Sequence, residues 1–229
     1  IIMTPILILN PDDIEAYLKA CGTQTVLIYN TGVTPLKPTQ KHVSFSFFDL
    51  IDFDEVRTFL RYQITGSIGP VEHWEKVALN FVEEFIDIAE AARGDDTSLN
   101  LKETLDKIGL TQLGAQDIID FAFPDGQARR FEKTFDAINA PSKTTAELPV
   151  YMESLQYITM QFSEIWSIHK DRYEDDSTAK LAPIFSAMYT DTDSKRKPFD
   201  VLVIENNNAM PVMLQREIPF IVGKYARIA

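Results

Sequence analysis

Four carboxylates lie close together in one short stretch of the sequence and are its best candidates for metal chemistry. Asp49, Asp52, Asp54 and Glu55 fall within seven consecutive positions, and carboxylate oxygens are ligands that divalent cations prefer. Asp52 and Glu55 also have the spacing of a capping box, which would open a helix over residues 53–63. Because capping accounts for two of the four side chains, a metal-dependent enzyme is an alternative and not the leading interpretation.

Histidine and cysteine chemistry has few candidates in this chain. There are three histidines and one cysteine, Cys21, which leaves no internal disulfide and no multi-cysteine metal site. His169 and Asp171 match part of a facial iron triad. On a helix their side chains point roughly 200° apart, so His169 is predicted to be a core or interface residue. We therefore expect no cofactor, no resident metal and no catalytic residue of a known motif.

The negative charge of the chain is concentrated in two segments. The formal net charge is −12. Residues 71–96 carry eight acidic and two basic residues, and residues 147–176 carry seven acidic and two basic residues. Carboxylates at this density repel phosphate backbones and anionic lipids, and they attract basic protein surfaces. The distribution therefore disfavours direct binding to nucleic acid or to membranes.

Two long amphipathic helices are predicted to position these carboxylates. Between Pro70 and Gly94, apolar residues such as Phe81 and Phe85 recur at steps of three and four. The apolar stripe takes up about half of the helix circumference, which predicts that the helix is covered from two sides. A second helix with an apolar stripe and an opposite acidic face is predicted over residues 151–173.

The acidic faces of these two helices form the predicted contact surface. Like charges gathered on a helix lower its stability, and few basic residues at i+4 positions offset the repulsion, which suggests a surface retained for a basic partner. An ordinary solvated helix face is the alternative interpretation. The predicted contact residues are Glu72, Glu75, Glu83, Glu84, Asp87, Glu90, Glu153, Glu164, Asp171 and Asp175.

Short apolar runs near both ends of the chain predict the strands. These runs are residues 5–9, 25–29, 42–48, 201–204, 212–214 and 218–222. Besides the two long helices, helices are predicted over residues 12–20, 53–63, 99–108, 115–122, 127–138 and 178–189. The order predicts an α+β fold, in which short N- and C-terminal strands form a mixed sheet with a largely helical middle. One domain over residues 1–229 is expected, with a candidate subdivision near residues 139–149.

These features favour a non-enzymatic interaction protein that binds a basic protein. Basic surfaces of this kind are typical of nucleic-acid-handling machinery, where carboxylates can occupy the place of phosphates. The leading hypothesis is therefore an inhibitor or regulator that mimics nucleic acid, of the sort that phages use. A structural or assembly subunit is a further alternative.

The sequence also gives expectations about assembly and location. The second apolar flank of the long helices predicts a paired arrangement of helices, either within the chain or across a dimer, and a homodimer is the expected assembly. No apolar run approaches the roughly 20 residues of a membrane span, and the opening residues have no basic region of the kind that export signals carry. We therefore expect a cytoplasmic protein, in the host cytoplasm if the source is viral.

Overall fold

The computed structural model contains a five-stranded sheet in which every neighbouring pair of strands is parallel. The strands are β1 (Ile6–Leu9), β2 (Val26–Tyr29), β3 (Lys41–Ser44), β4 (Ala179–Lys180) and β5 (Val201–Glu205). Their order in the sheet is β1-β5-β2-β3-β4. The last strand in the chain, β5, therefore lies between β1 and β2, and its Leu202 aligns with Ile6 on one side and Leu27 on the other.

The structure describes residues 5–29, 40–66, 73–109, 148–190, 199–206 and 212–225. The chain divides into two compact units, one formed by residues 1–49 with 171–229 and the other by residues 50–170. The first unit contains the sheet, and the described part of the second unit is helical. In sequence, the helical unit is thus an insertion between β3 and β4.

Helices make up most of the remaining described chain. They are α1 (Pro11–Ala20), α2 (Phe53–Thr65), α3 (His73–Arg93), α4 (Leu101–Lys107), α5 (Leu148–Glu174), α6 (Leu181–Thr190) and α7 (Val212–Tyr225). The longest of them, α5, begins in the helical unit and ends in the sheet unit. None of these described helices combines the length and the hydropathy that crossing a lipid bilayer requires.

Side chains cover both faces of the sheet. On one face Ile14 of α1 packs in a buried cluster with Val26 and Val203. On the other face the ring of Phe45, which follows β3, lies 5.6 Å from the ring of Phe220 in α7. Every residue of β2 and β5 is buried as a result, which is typical of parallel strands that are covered on both sides.

A cluster of aromatic side chains forms the core of the helical unit. The ring of Phe162 in α5 lies 4.7 Å from that of Phe81 and 5.6 Å from that of Phe85, both in α3. Trp166 of α5 reaches the same Phe85 at 6.2 Å. Since α2 and α4 also contact α3, this helix is covered from more than one side, as the width of its apolar stripe predicted.

Helix termini in this unit follow local capping signals. The Asp52 carboxylate accepts a hydrogen bond of 2.9 Å from the backbone N–H of Asp54, so the predicted helix start is confirmed. Gly66 ends α2 in the left-handed conformation, with φ of 69°. A reciprocal capping box opens α4, where Asn100 accepts from the Glu103 N–H at 2.8 Å and the Glu103 carboxylate accepts from the Asn100 N–H at 3.0 Å.

The predicted α+β fold with a mixed sheet is wrong. The sheet is all-parallel and its strands are spread through the chain, so the fold is α/β. The two C-terminal runs predicted as strands, residues 212–214 and 218–222, both belong to α7. Buried residues of α7 recur at steps of three and four from Leu214 to Tyr225, but Pro219 in the middle divided the apolar pattern into two short runs.

The region around β3 and β4 also differs from the prediction. The strand predicted over residues 42–48 ends at Ser44, and a short 3-10 helix follows at Phe47–Asp49. Ser44 and Ser46 are polar residues that alternate with apolar ones in this run, yet both are buried, because the sheet is covered on both faces. Ala179 and Lys180, which the prediction placed inside a helix, pair with β3 as β4.

Most other predicted elements are confirmed. They are the strands at 5–9, 25–29 and 201–204, and the helices at 12–20, 53–63, 99–108 and 151–173, together with the acidic helix that ends before Gly94. The helices predicted over residues 115–122 and 127–138, and most of the subdivision predicted at 139–149, lie outside the described residues. The subdivision therefore stays a prediction.

Candidate functional site

Exposed carboxylates from two helices of the helical unit lie close together. Glu83, Asp87 and Glu90 follow one another at steps of four and three on the exposed side of α3. Asp54 at the start of α2 joins them through an arginine that contacts both helices. We call Asp54, Glu83, Asp87 and Glu90 the α2–α3 acidic surface.

Arg57 of α2 lies among these carboxylates. Its guanidinium pairs with Glu83 at 2.7 Å and with Glu90 at 3.8 Å, and it also bonds to Asp54. The three paired carboxylates stay solvent-accessible, with 50%, 46% and 82% of the side chains of Glu83, Glu90 and Asp54 exposed. Among the described residues, this surface has one cation for four carboxylates and is therefore negative, and exposed ion pairs of this kind contribute about 0–1 kcal/mol each.

Arg93, the basic residue of α3 whose side chain the structure describes, is not paired with these carboxylates in the contacts that hold it. Arg93 donates through Nη1 to the backbone oxygen of Ile51 at 2.9 Å, and its guanidinium lies 3.9 Å above the Phe53 ring. The compensating cation comes instead from another helix. No spacing within α3 indicates that Arg57 would lie there, because the contact depends on how α2 packs against α3.

The other predicted contact residues are distributed differently. Glu84 is half-buried, whereas Glu164 and Asp171 are exposed on α5. Asp175 accepts from the Ser177 N–H at 2.9 Å and from the Thr178 hydroxyl at 3.0 Å, and the hydrogen bonds from Ser177 lower its pKa.

Asp175 therefore closes the turn after α5. These hydrogen bonds account for an acidic residue at the end of the helix, so a partner protein is not needed to explain it. Glu72 and the side chains of Glu75 and Glu153 lie outside the described part of the chain.

The four carboxylates considered for a metal do not form a ligand set. Asp52 caps α2, and Asp54 pairs with Arg57. Asp49 belongs to the sheet unit, while the other three belong to the helical unit. Within the described residues, no group of three or more histidine, cysteine, aspartate or glutamate side chains could hold a metal ion.

Asp49 itself occupies a position that favours chemistry of another kind. It ends the 3-10 helix that follows β3, at the carboxyl edge of the parallel sheet, where α/β proteins place their ligands. Its Oδ2 atom is buried and has no hydrogen-bond partner among the described residues. Burial raises the pKa of Asp49 to about 6, although the charge of Lys180 and a backbone hydrogen bond from Ser46 act in the opposite direction.

The same edge also carries a buried hydroxyl group, that of Ser44, and a lysine, Lys180. Ser44 is the last residue of β3 and aligns with Lys180, the last residue of β4. The Ser44 hydroxyl is buried and has no partner among the described residues. The Lys180 ammonium donates to the backbone oxygens of Arg172 and Asp175, so it lies at the end of α5.

A buried ionic cluster lies nearby in the sheet unit, at the end of β2. The Tyr29 hydroxyl donates to the Glu217 carboxylate of α7 at 2.5 Å. Arg172, near the end of α5, donates through Nη1 to Glu217 at 2.8 Å and to the Phe45 backbone oxygen at 3.2 Å. Burial and the neighbouring Glu217 charge raise the pKa of Tyr29, so the phenol stays protonated and keeps donating.

Sequence reasoning missed this cluster for two reasons. Glu217 fell between two runs interpreted as strands, so its position on a buried helix face was not visible. Tyr29, Arg172 and Glu217 are also far apart in the chain, and no local spacing joins them. A charged residue one turn away from buried apolar positions in a helical pattern is the signal that could have identified Glu217.

No known protein family, curated protein or solved structure matches this chain. Its function is therefore inferred from the residues of the two surfaces described above, the acidic surface of the helical unit and the carboxyl edge of the sheet.

Proposed function

We propose that this protein is an interaction protein that binds a basic surface of another protein through the α2–α3 acidic surface. The observation that supports this proposal is the pairing of three exposed carboxylates from two helices, Asp54, Glu83 and Glu90, with Arg57. Asp87 is exposed on the same side of α3. In the described part of α3, the apolar side chains that face the core are at most 1% exposed: Phe81, Val82, Phe85, Ile86 and Ala89. The exposed side is thus the part of α3 that remains for a partner.

The chemistry of the surface favours a partner that normally binds phosphates. A surface of one sign attracts the opposite sign over about a Debye length and accelerates association with it. Proteins that handle nucleic acid present such basic surfaces, and carboxylates along a helix can occupy them in place of phosphates. The protein then acts as an inhibitor or regulator of that partner.

An affinity capture with amide variants tests the proposal. The test variant carries Glu83→Gln, Asp87→Asn and Glu90→Gln, which remove charge without placing a new cation beside Arg57. The control variant carries Asp12→Asn, Asp95→Asn and Asp176→Asn, three exposed carboxylates elsewhere in the chain. Both variants change the net charge by the same amount, so a difference between them reports the position of the charge.

The capture uses nuclease-treated cell lysate, so that nucleic acid cannot bridge the two proteins. We expect the wild-type protein and the control variant to retain the same nucleic-acid-binding protein, and the test variant to lose it. Equal capture by all three proteins, or retention of no basic protein by the wild type, would contradict the proposal.

Asp49 supports a second candidate function, a ligand site with proton transfer at the carboxyl edge of the sheet. A carboxyl group with a pKa of about 6 can both give and take a proton near neutral pH. Within the described part of the chain, its Oδ2 and the Ser44 hydroxyl have no hydrogen-bond partner, and both could bond to a polar ligand.

A thermal-shift screen of small polar molecules at pH 6, run on the wild type and on Asp49→Asn, tests this site. A compound that stabilises only the wild type supports it, and equal shifts in both proteins count against it.

A further inference from the structure

Three side chains near the end of β3 have hydrogen-bonding groups that the described chain does not use. The Ser44 hydroxyl and the Nη2 atom of Arg172 are both buried and have no hydrogen-bond partner among the described residues. The Lys180 ammonium has three N–H groups and donates to two backbone oxygens there, so one N–H group remains. Because a buried polar group without a partner lowers stability, these groups are candidates for ligand contacts.

The contacts of these three side chains place them in one region of the sheet unit. Ser44 and Lys180 are aligned in neighbouring parallel strands, so their side chains leave the same face of the sheet. The Lys180 ammonium donates to the backbone oxygen of Arg172. The Arg172 Nη1 atom lies 3.2 Å from the backbone oxygen of Phe45, the residue after Ser44. The ends of β3, β4 and α5 thus each bring one of these groups to the carboxyl edge of the sheet.

The chemistry of these groups selects an anion as the ligand. Arginine and lysine side chains only donate hydrogen bonds, so the ligand must supply acceptors. The charge of Arg172 is compensated by Glu217, whereas the hydrogen-bond partners of Lys180 in the described chain are neutral backbone oxygens. The donors come from three separate elements, and a phosphate group has enough oxygens to accept from all of them. A carboxylate has two oxygens and suits a single bidentate donor better.

We propose that the carboxyl edge of the sheet binds the phosphate group of a small ligand through Ser44, Lys180 and the Nη2 atom of Arg172. This inference rests on the second candidate function, because it names the ligand class of the Asp49 site. Asp49 is close enough for the Lys180 charge to act on it, and its own ionised form opposes an anion. Since its pKa is about 6, about half of the Asp49 carboxyl groups are neutral at pH 6.

Thermal unfolding with inorganic phosphate at pH 6 tests the proposal on the wild type, on Ser44→Ala and on Thr104→Val. Thr104 is the matched control, because its hydroxyl is also buried without a partner among the described residues, but in the helical unit. Neither substitution removes a hydrogen bond of the described chain. We therefore expect neither to lower the unfolding midpoint in the absence of phosphate.

We expect phosphate to raise the midpoint of the wild type and of Thr104→Val equally, because it binds the folded state. Ser44→Ala should need at least about tenfold more phosphate for the same shift, the factor for one hydrogen bond to a charged group. No shift of the wild type, or an equal response of Ser44→Ala, overturns the proposal. A lower midpoint of Ser44→Ala without phosphate also overturns it, because the hydroxyl would then be bonded within the protein.

Adenosine monophosphate and acetate, compared with inorganic phosphate at the same ionic strength, define the ligand. A larger shift from adenosine monophosphate supports a phosphate ester, and a larger shift from inorganic phosphate supports the free ion. An equal shift from acetate overturns the selection of phosphate. If phosphate has no effect but another compound stabilises the wild type and not Asp49→Asn, the second candidate function stands and this inference fails. If no compound acts on the wild type, both fail.

Discussion

Two kinds of buried charge occur in the sheet unit, and they differ in what they do for stability. Arg172 and Glu217 are paired at 2.8 Å, so each charge compensates the other. Asp49 has the Lys180 charge nearby, but burial still dominates and holds its pKa at about 6. A carboxyl group that lowers stability in its ionised form is a candidate for function, since selection for stability alone would remove it.

The Asp49→Asn variant should be more stable than the wild type at high pH and not at low pH. Because the folded pKa of about 6 exceeds the usual 3.8, ionisation opposes folding. The penalty is absent below pH 3.8, grows as the pH rises and is complete above pH 6. The two pKa values differ by an amount that corresponds to about 3 kcal/mol. Urea unfolding of the wild type and of Asp49→Asn between pH 4 and pH 8 measures the difference in their free energies of unfolding.

Asp96 provides a control of opposite sign for that experiment. Hydrogen bonds from Ser98 lower the pKa of this exposed carboxylate, so its ionised form favours folding. Its contribution is present above the usual pKa of 3.8 and is lost as the pH falls through the folded value. The Asp96→Asn variant should therefore lose stability at neutral pH. An Asp49→Asn variant that is less stable than the wild type at pH 8 would contradict the assignment.

The Tyr29→Phe variant should lower the free energy of unfolding by about 1.5–3 kcal/mol, the range for a hydrogen bond to a charged group. The change removes the hydroxyl that donates to Glu217 at 2.5 Å and leaves the ion pair with Arg172 in place. Tyr17→Phe is the matched control, because its hydroxyl makes an exposed bond of 3.4 Å to Gln24. Chemical denaturation measures the loss of unfolding free energy in each variant. Equal losses would show that the buried hydrogen bond from Tyr29 to Glu217 stabilises the fold no more than the exposed bond of Tyr17.

At the scale of the elements, helical periodicity was the dependable signal. The predicted apolar stripes of α3 and α5 lie in the core, where Phe85, Phe162 and Trp166 are buried, and His169 is buried against Phe59 as its position predicted. These assignments hold because a helix repeats its facing residues over many turns. The short apolar runs were harder, since a strand and one turn of a buried helix look alike over three to five residues.

The all-parallel sheet could have been inferred from two runs. The segments VLIY in β2 and VLVI in β5 are apolar without alternation, which is typical of strands covered on both faces. The strand β4 could not have been inferred, because Ala179–Lys180 is two residues long and its pairing depends on β3. Long-range contacts of this kind leave no local pattern.

The capping box of α4 predicts that alanine substitution of two asparagines, each of which precedes a helix, has different effects on stability. Asn100→Ala removes the side chain that accepts from the Glu103 N–H, and should lower the free energy of unfolding by about 1 kcal/mol. Asn10 precedes α1 but makes no capping bond from its side chain. Asn10→Ala should therefore change stability by less than about 0.5 kcal/mol. Thermal melts of the two variants compare them, and similar losses would refute the capping assignment.

At the scale of the whole molecule, the distribution of charge is the feature on which the proposed function rests. The sequence correctly located the exposed carboxylates of α3, because helix geometry alone places Glu83, Asp87 and Glu90 on one side. It did not locate Arg57, because that contact needs α2 to pack against α3. The surface is thus less negative than the sequence of α3 suggests, yet among the described residues it keeps four carboxylates for one cation.

The most direct measurement is the affinity of the captured basic protein for the wild type, for the amide variant of Glu83, Asp87 and Glu90, and for the control variant, at low and high salt. Three exposed charge pairs at about 0.5 kcal/mol each correspond to about a tenfold change in dissociation constant. We predict this increase in dissociation constant for the amide variant at low salt and a change within about twofold for the control variant. At high salt the dissociation constants of all three proteins should converge. Equal affinities of the amide variant and the wild type at low salt would contradict the proposed role of the α2–α3 acidic surface.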